Sequence, residues 1–174
     1  MLMVICVHDH LEFHDRVSYG LWAEQGHLIL TDGDVIDYRF IRKQVLEDSK
    51  RYEIIQLGYD PWNAEQLCNQ QLGQEDGLNV IEVRQTIGVL GQATAEFERL
   101  LQAGKLRHGG NPILNWMAGN CVVRNDANDN IMPCKRTSAG RIDGVMATII
   151  ALSLAMPATS EGELRQTPLM IEVI

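Results

Sequence analysis

Cysteine is scarce in this chain and carries no pattern. The four cysteines, Cys6, Cys68, Cys121 and Cys134, include no C-x-x-C pair, which argues against a zinc or disulfide framework. They fall in apolar segments or near turns, as reduced thiols of a cytosolic protein do. Basic residues are also in short supply. Fifteen Lys and Arg against 23 Asp and Glu leave a formal net charge of −8, which argues against a domain that grips nucleic acid through a broad basic face. A nuclease stays open, because carboxylates that hold metals add negative charge. Long hydrophobic runs are missing too. Residues 1–7 are too short to span a membrane and lack the basic start of a signal peptide. The main apolar helix, about 14 residues long and interrupted by Asp143, reads as a core helix. No internal repeat, low-complexity run or second domain is visible, and 174 residues with 45% hydrophobic content suit one domain.

The clearest element covers residues 135–156, KRTSAGRIDGVMATIIALSLAM. Ile142, Val145, Met146, Ile149, Ile150 and Leu154 recur at helical spacing and predict a buried face, with Ala147 and Ala151 admitting a close neighbour. Thr137 or Ser138 is the expected N-cap and Pro157 the expected stop. Asp143 is the only charge between Arg141 and Glu161. A carboxylate on an apolar helix must be paired, protonated or metal-bound, because desolvating a lone charge is expensive. A pair with Arg141, a first-turn Asp favoured by the helix dipole and a metal ligand all fit it.

The rest of the chain reads as alternating strands and helices. Residues 1–7 (MLMVICV) form an apolar strand. His8, His10 and His14 invite a metal reading, but no fourth ligand has a set spacing and a polar turn explains them. A short helix over 17–25, closed by Gly26, precedes an extended piece at 28–30 and a TDGD turn at 31–34. An amphipathic helix over 36–50 should turn Ile36, Phe40, Ile41, Val45 and Leu46 inward. Strand 52–59, helix 62–72 and strand 77–84 imply a right-handed parallel crossover. Asp60 stands at the carboxyl end of the first of these strands, where ligands bind in such sheets; an N-cap for the following helix is the plainer role. A glycine-containing loop over 85–91, a helix over 93–102 and a turn-rich loop over 107–112 follow. A short helix then runs through Trp116 and Met117. Strands at 120–124 and 131–134 flank a hairpin turn at 126–130. After Pro157 comes a polar linker, and residues 169–174 could add an edge strand.

Several long motifs then fall into a known order. YDPWNA (59–64), FERLLQAGKLRHGGNPILNWMAGNCVV (97–123), the DANDN turn and KRTSAGRIDGVMATIIAL (135–152) resemble the C-terminal nuclease domain of tailed-phage terminase large subunits. WAEQGHLILTDGDVIDY (22–38) looks like the segment that precedes them. The resemblance runs from about Asp15 to Met156 and implies an α/β fold: an RNase H-like mixed sheet flanked by helices. It implies an endonuclease of phage DNA packaging, acting on double-stranded concatemeric DNA in the bacterial cytoplasm as a phage or prophage product. It also implies two divalent ions, Mg²⁺ or Mn²⁺, with Asp60 and Asp143 among their ligands. Hard cations prefer oxygen donors, and a pair of ions about 4 Å apart can activate water and stabilise a leaving oxygen. His108 and Asn111, in a loop, and Lys135, Arg136 and Arg141, beside the acid, become candidate DNA contacts; turn chemistry explains the first two equally well. Family partners are the small terminase subunit and the portal.

The departures are specific. Family members begin with an ATPase motor, yet no G-x-x-x-x-G-K-[ST] is present, and Gly104-Lys105-Leu106 fails the pattern. By spacing, residues 1–7 correspond to the third strand of the family sheet, so its first two strands and their metal-binding Asp are expected to be missing. Asp9 is a poor substitute, since it falls past the strand in the wrong register. Such a sheet exposes an edge and predicts self-association or pairing with another chain. Two readings follow: a packaging endonuclease domain occupying residues 1–156 with a tail at 157–174, or a catalytically inactive prophage remnant that keeps the fold and a protein-interaction surface.

Overall fold

A computed structural model describes residues 4–7, 15, 17–31, 37–62 and 64–160. Asp9, the three histidines at 8, 10 and 14, Ile36, most of the TDGD turn and the 169–174 segment lie outside the described residues. The elements run β1 (Val4–Val7), α1 (Tyr19–Glu24), β2 (Leu28–Thr31), α2 (Tyr38–Ser49), β3 (Leu57–Tyr59) and α3 (Gln66–Glu75). They continue with β4 (Val80–Glu82), α4 (Ile87–Gln102), α5 (Pro112–Asn120), β5 (Val123–Asn125), β6 (Ile131–Pro133) and α6 (Asp143–Ser160). Among the described residues, strands pair in three two-stranded ladders. β1–β2 and β3–β4 are parallel, and β5–β6 is antiparallel.

The β3–α3–β4 crossover is parallel as expected, with Tyr59 opposite Glu82. Its helix differs. α3 begins four residues after Trp62 and is π-wound, with Asp76 N–H donating to the Gln71 carbonyl five residues back. Leu67, Cys68 and Leu72 are buried there with Val45 of α2 and Tyr59 in a small separate cluster. On α2 the inward stripe is Ile41, Val45 and Asp48, at i, i+4 and i+7; Phe40 lies off it and is 43% exposed. Arg42 of α2 grips the end of α3 through both oxygens of Asp76, each at 2.7 Å.

The main core is built on α6. Ile142, Val145, Met146, Ile149, Ile150 and Leu152 are buried against α4, α5 and β3, each side chain worth about 1.5–3 kcal/mol in burial. β3 approaches α6 at Gly58, where a Cβ would lie 2.7 Å from Ile150 Cγ2. α4 starts at Ile87, inside the expected loop. Its glycines weaken the helical prior by about 1 kcal/mol each, but Leu90 is fully buried and Gly91 lets the helix approach Asn130 of the hairpin.

Both ends of α6 correct the sequence expectation. Residues 135–140 form a turn, not a first helical turn. The Ser138 hydroxyl donates to the Cys134 carbonyl at 2.9 Å and accepts the Val122 N–H at 3.1 Å, so it fastens the hairpin and does not cap the helix. At the true start, Met117 Sδ accepts the Gly144 N–H. At the other end α6 passes through Pro157 to Ser160. Proline's fixed φ is itself helical, so a helix can run through it at the cost of one backbone hydrogen bond.

Candidate functional site

Asp60 follows the last residue of β3, at the carboxyl end of the β3–β4 ladder. Its Oδ1 accepts the Trp62 N–H at 3.1 Å, so it orders a turn; the N-cap position of α3 belongs to Glu65. The turn presents Trp62 to solvent, 82% exposed. Tyr59, just before Asp60, is buried and donates its hydroxyl to Glu65 at 2.9 Å. Burial first, then the Glu65 carboxylate, pushes the phenol up to about 12. The strand end is thus anchored from both sides, with the Val83 N–H donating to the Tyr59 carbonyl at 2.8 Å.

Asp143 opens α6 with its side chain 56% exposed, and Lys135 Nζ donates to its Oδ1 at 2.6 Å. Lys135 therefore holds the place expected of Arg141. Ile142 between Arg141 and Asp143 is buried. Arg141 turns the other way, its Nε donating to Asp15 Oδ2 at 2.6 Å, with that carboxylate's side chain only 6% exposed. Burial works against the Arg141 charge, and the contacts with Asp15 and Tyr19 outweigh it, so its pKa is raised. An aromatic set of Tyr19, Trp22 and Trp116 packs nearby, with centroids 5.6–6.3 Å apart.

Asn111 has a structural role of the turn kind. It is buried and its Oδ1 accepts the N–H groups of Ile113 and Leu114 at 3.0 Å each. That is an N-cap for α5, which takes the side-chain oxygen away from solvent. His108 lies in the same loop with its Nδ1 buried and without a hydrogen-bond partner among the described residues.

A cavity of about 300 Å³ sits beside Asp143, with Gln85, Lys135, Arg136 and Met146 in its walls. Gln85 lies just beyond β4, so the wall reaches the same end of the ladder from which Asp60 leaves β3. Lys135 links this wall to Asp143, and Arg136 lines the same wall. Arg141, His108 and Asn111 do not line it. Asp60 and Asp143 offer the carboxylate oxygens that Mg²⁺ or Mn²⁺ prefers. Among the described residues no group of three or more His, Cys, Asp or Glu side chains comes together. Cys68, Cys121 and Cys134 are free thiols. Sequence reasoning missed Asp15, whose partner is 126 residues away, and the cavity walls at Gln85 and Arg124, which carry no local motif.

The architecture defines the class first: an α/β domain that displays one acid at a strand end and another at a helix start, beside a basic cavity. The sequence pattern of the "Terminase large subunit, endonuclease domain" family matches residues 7–159, and the chain belongs to that family. It is 33% identical over 145 residues to "Protein YmfN" of Escherichia coli (strain K12), covering 82% of this chain and 31% of that protein. It is 30% identical over 147 residues to "Terminase, large subunit" of Enterobacteria phage HK97, covering 84% and 29%. The crystal structure of the HK97 bacteriophage large terminase superimposes with a TM-score of 0.78 at 28% identity, over 86% of this chain and 32% of that one. The chain thus spans about a third of the length of the relatives it matches. No helix among the described residues is long and apolar enough to cross a membrane.

Proposed function

We propose that this chain is a metal-dependent endonuclease domain of a phage or prophage DNA-packaging terminase, RNase H-like in plan, that cuts double-stranded concatemeric DNA. The observation that carries the reading is Asp143, a solvent-facing carboxylate at the head of an otherwise apolar, buried helix, in a chain that belongs to the terminase endonuclease family. Mg²⁺ or Mn²⁺, held by Asp60 and Asp143, supplies water activation and leaving-group stabilisation when bound. The protein's own groups do the rest. Asp60 is fixed by its turn to Trp62 and by the anchored strand behind it. Lys135 neutralises Asp143 and, as a half-exposed lysine in a surface pair worth about 0–1 kcal/mol, yields to a cation or turns to a phosphate. Arg136 adds a second positive charge at the same wall. Double-stranded DNA, the small terminase subunit, the portal and a second copy of the chain are the proposed partners.

The second reading, a catalytically silent remnant with a protein-interaction surface, is favoured by one observation: the described residues bring no third metal-ligating side chain to the site. Two measurements separate the readings. Mn²⁺ titration calorimetry should show weak binding that Asp60→Asn and Asp143→Asn each reduce. A plasmid-nicking assay with Mg²⁺ and with Mn²⁺ should show slow cutting by the native chain and none by either variant. Mn²⁺ binding indifferent to both substitutions overturns the metal assignment. Complete absence of cutting by a native chain that still binds Mn²⁺ and DNA selects the silent remnant.

A further inference from the structure

Five of the nine described arginines are held by carboxylates. Arg39, Arg42, Arg84, Arg99 and Arg141 each bond a carboxylate, from Asp37, Asp76, Glu82, Glu96 and Asp15 respectively. Of the four with no carboxylate partner among the described residues, Arg51 and Arg107 lie outside the cavity lining, and Arg124 and Arg136 share it. Both line the cavity beside Asp143, one from strand β5 and the other from the turn after β6. In a chain of net charge −8, two guanidiniums in one cavity without a counter-ion mark a place kept for an anion. No acidic side chain lines that cavity, and its third cation, Lys135, already holds Asp143. Gln85 contributes a neutral amide from the end of β4, while Met132 and Met146 give the wall an apolar floor.

We propose that this cavity is a phosphate subsite for a DNA strand, in which Arg124 and Arg136 hold the phosphodiester adjoining Asp143. The proposal rests on the nuclease reading and names where the strand lies. A guanidinium presents its donors as a planar fork matched to two phosphate oxygens, and the two forks enter from different elements, so the group between them is fixed in orientation as well as charge. A volume of about 300 Å³ is at the small end of ligand pockets, enough for one phosphodiester and part of a flanking sugar but not for a duplex. The remaining DNA must therefore pass across the outside of the hairpin. Arg124 becomes a DNA contact that sequence reading did not single out.

Cys134 lies in the same cavity and gives a local readout. Its hydrogen bonds with Thr137 hold the thiol below its ordinary range, whereas burial pushes Cys68 up to about 11 and Cys121 upward as well. A maleimide should therefore modify Cys134 ahead of those two thiols, with the labelled peptide identified by mass and Cys134→Ser as control. The experiment runs in EDTA, so it reads the cavity without cleavage, and the nicking assay above reads the metal chemistry separately. Its arms are a duplex oligonucleotide, inorganic phosphate and a mononucleotide. The oligonucleotide should slow labelling of Cys134 at concentrations where phosphate and the mononucleotide do little. Arg124→Gln and Arg136→Gln should each weaken oligonucleotide binding by about tenfold and reduce its salt slope by about one. Arg51→Gln should leave binding unchanged, since Arg51 sits over the Tyr52 ring, away from the cavity lining. Unshielded Cys134 at saturating oligonucleotide overturns the proposal, as does binding indifferent to both arginine substitutions. Shielding by inorganic phosphate alone overturns the strand assignment.

Discussion

Arg141 Nε and Asp15 Oδ2 meet at 2.6 Å across 126 residues of chain. The same oxygen accepts the Tyr19 hydroxyl at 2.7 Å. Arg141 directly precedes the buried Ile142 and the start of α6, so this pair pins the N-terminal segment to the helix that carries Asp143.

The pair is unequal, and that sets a prediction. The Asp15 side chain is 6% exposed and that of Arg141 is 40%. Removing the arginine takes a cation away from a desolvated carboxylate; removing the aspartate leaves a guanidinium that water can reach. Arg141→Ala should therefore cost more than Asp15→Ala, with Arg141→Ala losing about 2–3 kcal/mol of stability. Urea unfolding of both variants and the double variant measures it. Equal costs for the two single variants would count against this account.

Asp76 should govern part of the acid limb of stability. The bidentate Arg42 contact is the main cause that holds its pKa below 3.8. A carboxylate with a depressed folded pKa contributes stability that is complete above the unfolded value, near 3.8, and is lost as pH falls through the lower folded one. The urea midpoint of the native chain should fall in that window. Asp76→Asn should start lower and flatten there. Unchanged acid dependence in the variant would assign the limb to Asp37, Glu96 or Asp126, whose pKa values are lowered as well.

Gly58 and Gly88 should respond in opposite directions. A Cβ at Gly58 would stand 2.7 Å from Ile150 Cγ2 and 2.9 Å from Leu154 Cδ1, in a packed core. Gly58→Ala should cost about 1–3 kcal/mol by overpacking, and because Asp60 directly follows β3, it should weaken Mn²⁺ binding too. Gly88 lies in α4 with nothing within 4 Å of a Cβ. Gly88→Ala should gain about 0.5–1 kcal/mol by removing backbone freedom from the unfolded chain. Thermal unfolding of both variants tests the pair.

What the sequence made legible was periodic or local. The apolar stripe from Ile142 to Leu154, the turn residues between β5 and β6, and the strand–helix–strand order around Asp60 announce themselves within a few residues. What stayed hidden depends on distance or competition. The partner choice of Arg141 is decided by a residue 126 positions away. The onset of α6 is decided by Ser138 bonding Cys134 and Val122 in preference to capping. The π winding of α3 has no signature in QLCNQQLGQE, and the cavity collects Gln85, Arg124 and Lys135 from three separate parts of the chain. Asp60 and Asp143 stood out because a charge at a strand end or on an apolar helix is conspicuous by its chemistry alone; Arg124, one charge on an exposed strand, is not.

Lys135 gives the last prediction, because its ammonium occupies the ground a metal would claim. Its Nζ is 2.6 Å from Asp143 Oδ1, and both side chains are more than half exposed. Two cations that share one carboxylate compete. A divalent ion gains more from the carboxylate than an ammonium does, but it must first displace the lysine, and a surface pair of this kind resists by about 0–1 kcal/mol. Lys135→Gln should therefore tighten Mn²⁺ binding by about two- to fivefold, and the gain should vanish in the double variant Lys135→Gln/Asp143→Asn. DNA affinity should move the other way, since the substitution removes one positive charge from the cavity wall, and the salt slope of binding should fall by about one. Titration calorimetry with Mn²⁺ and oligonucleotide binding over a salt series supply the two readouts. Opposite movement of metal and DNA affinity supports a lysine shared between Asp143 and a phosphate. Parallel weakening of both would mean that Lys135 only holds the turn in shape, and Asp143 would then lose its standing as an accessible metal ligand.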